Sequence, residues 1–229
     1  MRMLMIAATL TLLTAAPLFA QDTGGADAKG YVSGLGGFAA SVTSTSSDLL
    51  VEGGIRIAPH VMVFGNVGRF SDLRGDLQPT LDATTAALTA NDGLTVIGGG
   101  NLPATYASGG LRVEIPINSR VMPYVLGGIG VAHLSPSPQF LFSSGLMPDG
   151  SSPAIGANVT TAIVAAGEVT PPAASNALML TVGAGMQFPV APHWVVDGGY
   201  RYSHIGSDAT LSATPLSANG ITFGIGYRF

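Results

Sequence analysis

Two stretches of the chain, RIAPHVMVFG at 56–65 and PVAPHWVVDG at 189–198, set Ala-Pro-His between runs whose apolar residues fall at every second place. The repeated His suggests a metal site; the repeated Pro suggests a turn. A structural or catalytic metal needs several converging ligands, and the chain offers four His and no Cys. Proline, with its fixed φ and missing N–H, suits a tight link between strands. The repeat therefore reads as two turns, with His60 and His193 at the starts of strands, and neither a metal nor another cofactor is expected.

A second candidate is Ser203-His204, with Asp208 four residues on. A nucleophile and its base must lie within hydrogen-bond reach, but adjacent strand residues point to opposite faces. These two cannot meet within one strand, so they read as an inward Ser and an interfacial His.

The third set is a row of charges spaced by two within apolar segments. In LLVEGGIRI, Leu49, Val51, Ile55 and Ile57 oppose Glu52 and Arg56; in GGLRVEIPI, Leu111, Val113 and Ile115 oppose Arg112 and Glu114. In HWVVDGGYRYSH, Trp194, Val196 and Tyr200 oppose Asp197 and Arg201. In NGITFGIGYRF, Ile221, Phe223, Ile225, Tyr227 and Phe229 oppose Thr222 and Arg228. This period of two requires β-strands. Eight such segments are expected, near 31–40, 49–57, 61–70, 105–117, 121–134, 177–190, 193–204 and 219–229. The first, third and fifth are too glycine-rich to assign a face. Outside them only TLDATTAALTA at 80–90 suggests a turn or two of helix.

Short and long connections alternate. Ala58-Pro59-His60, Asn118-Ser119-Arg120 and Ala191-Pro192 are short, whereas about 41–48, 71–104, 135–176 and 205–218 are long. Residues 1–20, with Arg2 and an apolar run from Met3 to Leu13, read as a secretory signal cleaved before Gln21. A lead at 21–30 and a single domain at 31–229 follow. Charged residues are 10% of the chain, far below the ~25% of a soluble domain. No later apolar run reaches the ~20 residues of a spanning helix. A net charge of −4 argues against nucleic acid. Exported, apolar and made of strands, the chain is expected to be all-β: an eight-stranded antiparallel up-and-down transmembrane β-barrel with short periplasmic turns and long extracellular loops. Its lumen would hold an ionic network of Glu52, Arg56, Arg112, Glu114, Asp197, Arg201 and Arg228. Aromatics near strand ends, Tyr124, Trp194, Tyr200, Tyr202, Tyr227 and Phe229, are expected in interfacial girdles.

The eight strands and the terminal FGIGYRF resemble the small outer-membrane β-barrels of the OmpA-domain, OmpX and opacity-protein type. The resemblance implies residence in the outer membrane of a Gram-negative-type bacterium. It also implies a terminal strand, Phe223, Ile225, Tyr227 and Phe229, read by the barrel-assembly machinery. No wall-binding domain is expected after Phe229. The expected function is a monomeric, non-catalytic barrel with outer-membrane lipid around it and a structural or surface-interaction role. Its extracellular partner is unspecified, because fold alone does not determine activity. The alternatives are a narrow porin-like pore for small solutes, a lipid A-modifying enzyme and a soluble lipocalin-like carrier. The carrier would need many outward charges, which the chain lacks.

Overall fold

The computed structural model describes residues 28–41, 44–73, 77–115, 121–206 and 215–229. The proposed signal, most of the lead, the Asn118-Ser119-Arg120 link and Asp208 lie outside these residues. The strands are β1 (Gly30–Ala40), β2 (Thr45–Ala58), β3 (Val61–Phe70), β4 (Thr95–Asn101), β5 (Ala104–Glu114), β6 (Met122–Leu134), β7 (Ser137–Ser144), β8 (Ser175–Pro189), β9 (Trp194–Ile205) and β10 (Leu216–Arg228). Two helices, α1 (Leu77–Asp92) and α2 (Thr160–Ala165), lie between them.

Eight strands close into a barrel in the order β1-β10-β9-β8-β6-β5-β3-β2. Each pairs antiparallel with its neighbours, and β1 meets β10 from Tyr31↔Arg228 to Ala40↔Asn219. The eight barrel strands cover the expected segments, with ends moved by up to about four residues, the usual uncertainty of sequence boundaries.

The faces follow the alternation. Ile221, Phe223 and Ile225 on β10 are 54%, 63% and 58% exposed, while Thr222 and Arg228 are buried. Leu178, Leu180 and Val182 on β8 point out as well, and Thr181 and Gln187 point in. Apolar outside and polar inside is the inverse of a soluble sheet, and it suits a wall surrounded by lipid. The strands whose faces the sequence left open send Tyr31, Met62, Phe64 and Tyr124 inward. Tyr124 therefore leaves the expected girdle: it is 2% exposed, whereas Trp194 and Tyr227 pack edge to face on the outer surface at 5.4 Å.

Inward glycines make room for these rings. A Cβ on Gly54 would meet Tyr31 Cζ at 3.0 Å, and one on Gly199 would meet the Tyr124 hydroxyl at 2.9 Å. The same fit pairs Tyr106 with Gly68.

The two Ala-Pro-His turns differ. In the first, Ala58 pairs with Val61, leaving Pro59 and His60 as a two-residue loop. His60 there has φ of 64°, a conformation that costs an L-residue about 1–2 kcal/mol. In the second, Val190 N–H donates to Trp194 O at 2.9 Å across a wider link, and His193 has no positive φ.

The connections 71–104 and 135–176 carry secondary structure of their own. Segment 80–90, expected to give a turn or two of helix, lies within the 16-residue helix Leu77–Asp92. The helix buries Leu77, Leu81 and Leu88, a stripe too narrow to stand out. Its threonines return their hydroxyls to the backbone, Thr84 to Thr80 O at 2.9 Å and Thr89 to Thr85 O at 3.0 Å. Gly93, at φ 65°, ends it. β4 from one long loop pairs antiparallel with β7 from another, Ile97 facing Leu141. Val96, Phe140 and Phe142 point into a core shared with α1 and α2. That core continues without a break into the outer half of the barrel through Leu35, Leu50, Phe70, Leu134 and Met179.

Two outcomes test this. His60→Gly should leave the barrel unchanged or stabilise it by up to about 1 kcal/mol, and His60→Val should destabilise it by about 1–2 kcal/mol; at position 193 Gly should destabilise. The temperature at which the folded band disappears from unboiled gels reports each. In a second test, proteinase applied to folded protein should spare the loops of the wild type and cut them in Phe142→Ala, which removes about 3–5 kcal/mol of core packing.

Candidate functional site

The charged positions expected in the lumen converge there, between the middle of the barrel and the end that carries the short turns, brought together by β2, β5, β9 and β10. Arg112 is at the centre and has no exposed surface. Its Nη1 lies 3.4 Å from Glu52 Oε1 and 3.7 Å from Asp197 Oδ2, and its Nη2 lies 3.7 Å from Glu114 Oε1. Two aromatic faces enclose the guanidinium, with its Cζ 4.6 Å from the Tyr31 ring centre and 3.6 Å from that of Tyr124. Such cation–π contacts gain strength when water is excluded.

Each carboxylate serves several donors. Glu52 accepts from Tyr31 Oη at 2.7 Å and from Arg201 Nη2 at 2.5 Å. Asp197 accepts from Tyr124 Oη at 2.7 Å and Gln187 Nε2 at 2.8 Å. Glu114 accepts from Arg228 Nη2 at 2.9 Å and Arg56 Nη2 at 3.3 Å. Arg56 is 19% exposed, at the periplasmic mouth. Charge buried this deeply is tolerated only when paired and hydrogen-bonded. All seven residues thus belong to one cluster of buried ion pairs.

The residue model of the outer membrane protein beta-barrel domain matches positions 5–229. The chain belongs to that family. Among solved structures, this outer-membrane barrel is similar to Neisserial surface protein A, with a TM-score of 0.51 and 13% identity over 87% of this chain and 96% of that one. It also matches Ail, the attachment invasion locus protein of Yersinia pestis, at 17% identity and a TM-score of 0.42 over 87% of this chain and 96% of that one. The N-terminal β-barrel domain of Pseudomonas aeruginosa OprF matches at 11% identity and 0.41, over the same shares. At these identities the likeness concerns the fold. No curated protein matches significantly in sequence.

The sequence reading of the outer-membrane barrel missed several partners in the cluster. Asp48 is 4% exposed and accepts from Tyr106 Oη at 2.9 Å. It shares the parity of Glu52, two places beyond Leu50, but lay in an expected loop because the segment was begun at Leu49. Asn66 and Gln187 are uncharged, and Tyr31 and Tyr124 sat on strands without an assigned face.

Ser203 and His204 do diverge, with Ser203 buried inside. His204 Nδ1 instead meets Ser217 Oγ on β10 at 3.2 Å, and Tyr202 Oη shares that oxygen at 3.0 Å. Among the described residues no carboxylate bonds to this group, and β9 and β10 pair through it, Ser217 opposite His204, so ladder N–H groups are not free to cradle an oxyanion. At the other end of the barrel, His193 Nδ1 lies 3.0 Å from Arg228 O and its ring stacks on Tyr227 at 5.4 Å. Phe229 N–H donates to Gly30 O at 3.0 Å, carrying the closing seam past the end of β10.

Replacing Arg112 by Met leaves Glu52, Glu114 and Asp197 without their shared cation. It is expected to cost about 3–5 kcal/mol, measured by urea unfolding of the barrel in detergent. A second change, Asp197→Asn, should recover part of that loss, because among the described residues Arg112 is the one cation within ion-pair distance of Asp197.

Proposed function

We propose that this chain resides in the outer membrane as a closed, monomeric barrel that neither conducts nor catalyses, with a structural or surface-interaction role carried by its extracellular cap. The supporting observation is the way the interior is filled. The periplasmic half holds the Arg112 cluster, and the outer half holds an apolar core that runs into the folded loops. Interiors of eight-stranded barrels are only wide enough for side chains, and open aqueous channels belong to barrels of about 16 strands. The space left by inward glycines at 54, 68 and 199 is taken by the rings of Tyr31, Tyr106 and Tyr124.

The apolar outer wall supports outer-membrane lipid as the surrounding partner. Phe223, Ile225, Tyr227 and Phe229 are the strand that the assembly machinery would read. The cap is the surface left for an extracellular partner, since α1, β4, β7 and α2 all lie above the lipid-facing belt.

Electrophoresis with and without boiling, on isolated outer membranes, tests residence and closure together. A membrane-bound form whose mobility changes on boiling is expected; a soluble periplasmic form with no change would overturn the proposal. The same protein in planar bilayers should give no sustained current steps, and regular steps would restore the pore reading.

A further inference from the structure

The lumen cluster and the apolar core above it meet at a small cavity of about 10 Å³, bordered by Asp48, Phe70, Arg201, Ser203, Ala218 and Thr222. Two buried polar atoms of that border, Arg201 Nε and Thr222 Oγ1, have no hydrogen-bond partner among the described residues. Their residues are 7% and 2% exposed. Asp48 is equally buried, and the one hydrogen bond to its carboxylate comes from Tyr106. Among the described residues no arginine lies within ion-pair distance of it, while Arg201 spends its Nη2 on Glu52.

We propose that one ordered internal water occupies this cavity, accepting from Arg201 Nε and bonding Thr222 Oγ1 and the Asp48 carboxylate. The size suits a single molecule, for which about 10–15 Å³ suffices, and a buried water needs two to four polar partners. A buried N–H of a guanidinium and a buried carboxylate are both costly to leave unmatched. One water accepts from the first and donates to the second, with the threonine hydroxyl as a third contact.

The bridge has a consequence for the whole lumen. Asp48 adds a fourth buried carboxylate to Glu52, Glu114 and Asp197. Through the water, the chain of polar contacts runs from Tyr106 and Asp48 to Arg201, Glu52, Arg112, Glu114 and Arg228 near the periplasmic mouth. At its outer end it stops against Phe70 and the apolar core.

A crystal structure of the intact barrel in detergent, at about 2 Å or better, tests the site directly. The expected result is a single peak about 2.7–3.2 Å from Arg201 Nε, Thr222 Oγ1 and an Asp48 oxygen, unchanged when the crystal is pressurised with xenon. No peak, a peak with the distances of an ion, or xenon entering the cavity would each overturn the proposal. Thr222→Val gives an independent reading. With the water present it removes a partner, and the melting temperature should fall by about 2–4 °C, the shift of one lost hydrogen bond in a chain of this length. In a dry cavity the same change removes an unmatched hydroxyl, and an equal or higher melting temperature would overturn the proposal.

Discussion

The pairing of β1 with β10 is the constraint on which the rest depends. In lipid an unpaired sheet edge leaves a row of N–H and C=O groups without partners, so strands cross a bilayer only as a closed cylinder. The seam runs from Tyr31↔Arg228 to Ala40↔Asn219 and extends through Phe229 to Gly30. Closure with eight strands fixes a narrow interior. That width demands small residues wherever a large side chain crosses it. Tyrosines at 31, 106 and 124 accordingly lie over glycines at 54, 68 and 199. Those inward glycines are a consequence of filling the cylinder with aromatic rings.

The same narrowness explains why the charges must cluster. An arginine facing inward cannot reach bulk water and has no room to fold away, so its acceptors have to lie within the lumen. Arg112 draws Glu52 from β2, Asp197 from β9 and Glu114 from its own strand, with tyrosine faces from β1 and β6 on either side. Such a cluster holds the strands in register, because a slip of one residue would turn its charges into lipid. The gain is specificity of pairing more than net stability, since buried ion pairs barely offset their desolvation.

What the sequence made legible was whatever repeats with the period of a strand. Alternation in 219–229 and 177–190 was enough to assign faces, and the charges at 52, 56, 112, 114, 197, 201 and 228 followed as inward positions. Glycine-rich strands carried no such signal, because a residue without a side chain does not mark its face. Tyr31 and Tyr124 were lost for that reason. Asp48 was lost to a strand boundary. The cap was lost for a different one: α1 buries only three leucines, and β4 carries three successive glycines, at 98, 99 and 100, where a pattern would be sought.

Those glycines also explain the composition of the loops. A Cβ on Gly98 would meet Thr85 Cγ2 at 2.9 Å and one on Gly100 would meet Ser137 O at 2.8 Å. The helix and the facing strand approach β4 too closely for side chains. Segment 135–176 carries little charge and two aromatics, Phe140 and Phe142. In the folded cap both phenylalanines are core, and the Ala, Thr and Gly around them are what close packing needs. Composition alone does not separate a poor interface from a good interior. The two differ in what the apolar side chains face, and in this cap Phe140 and Phe142 face the core shared with α1 and α2.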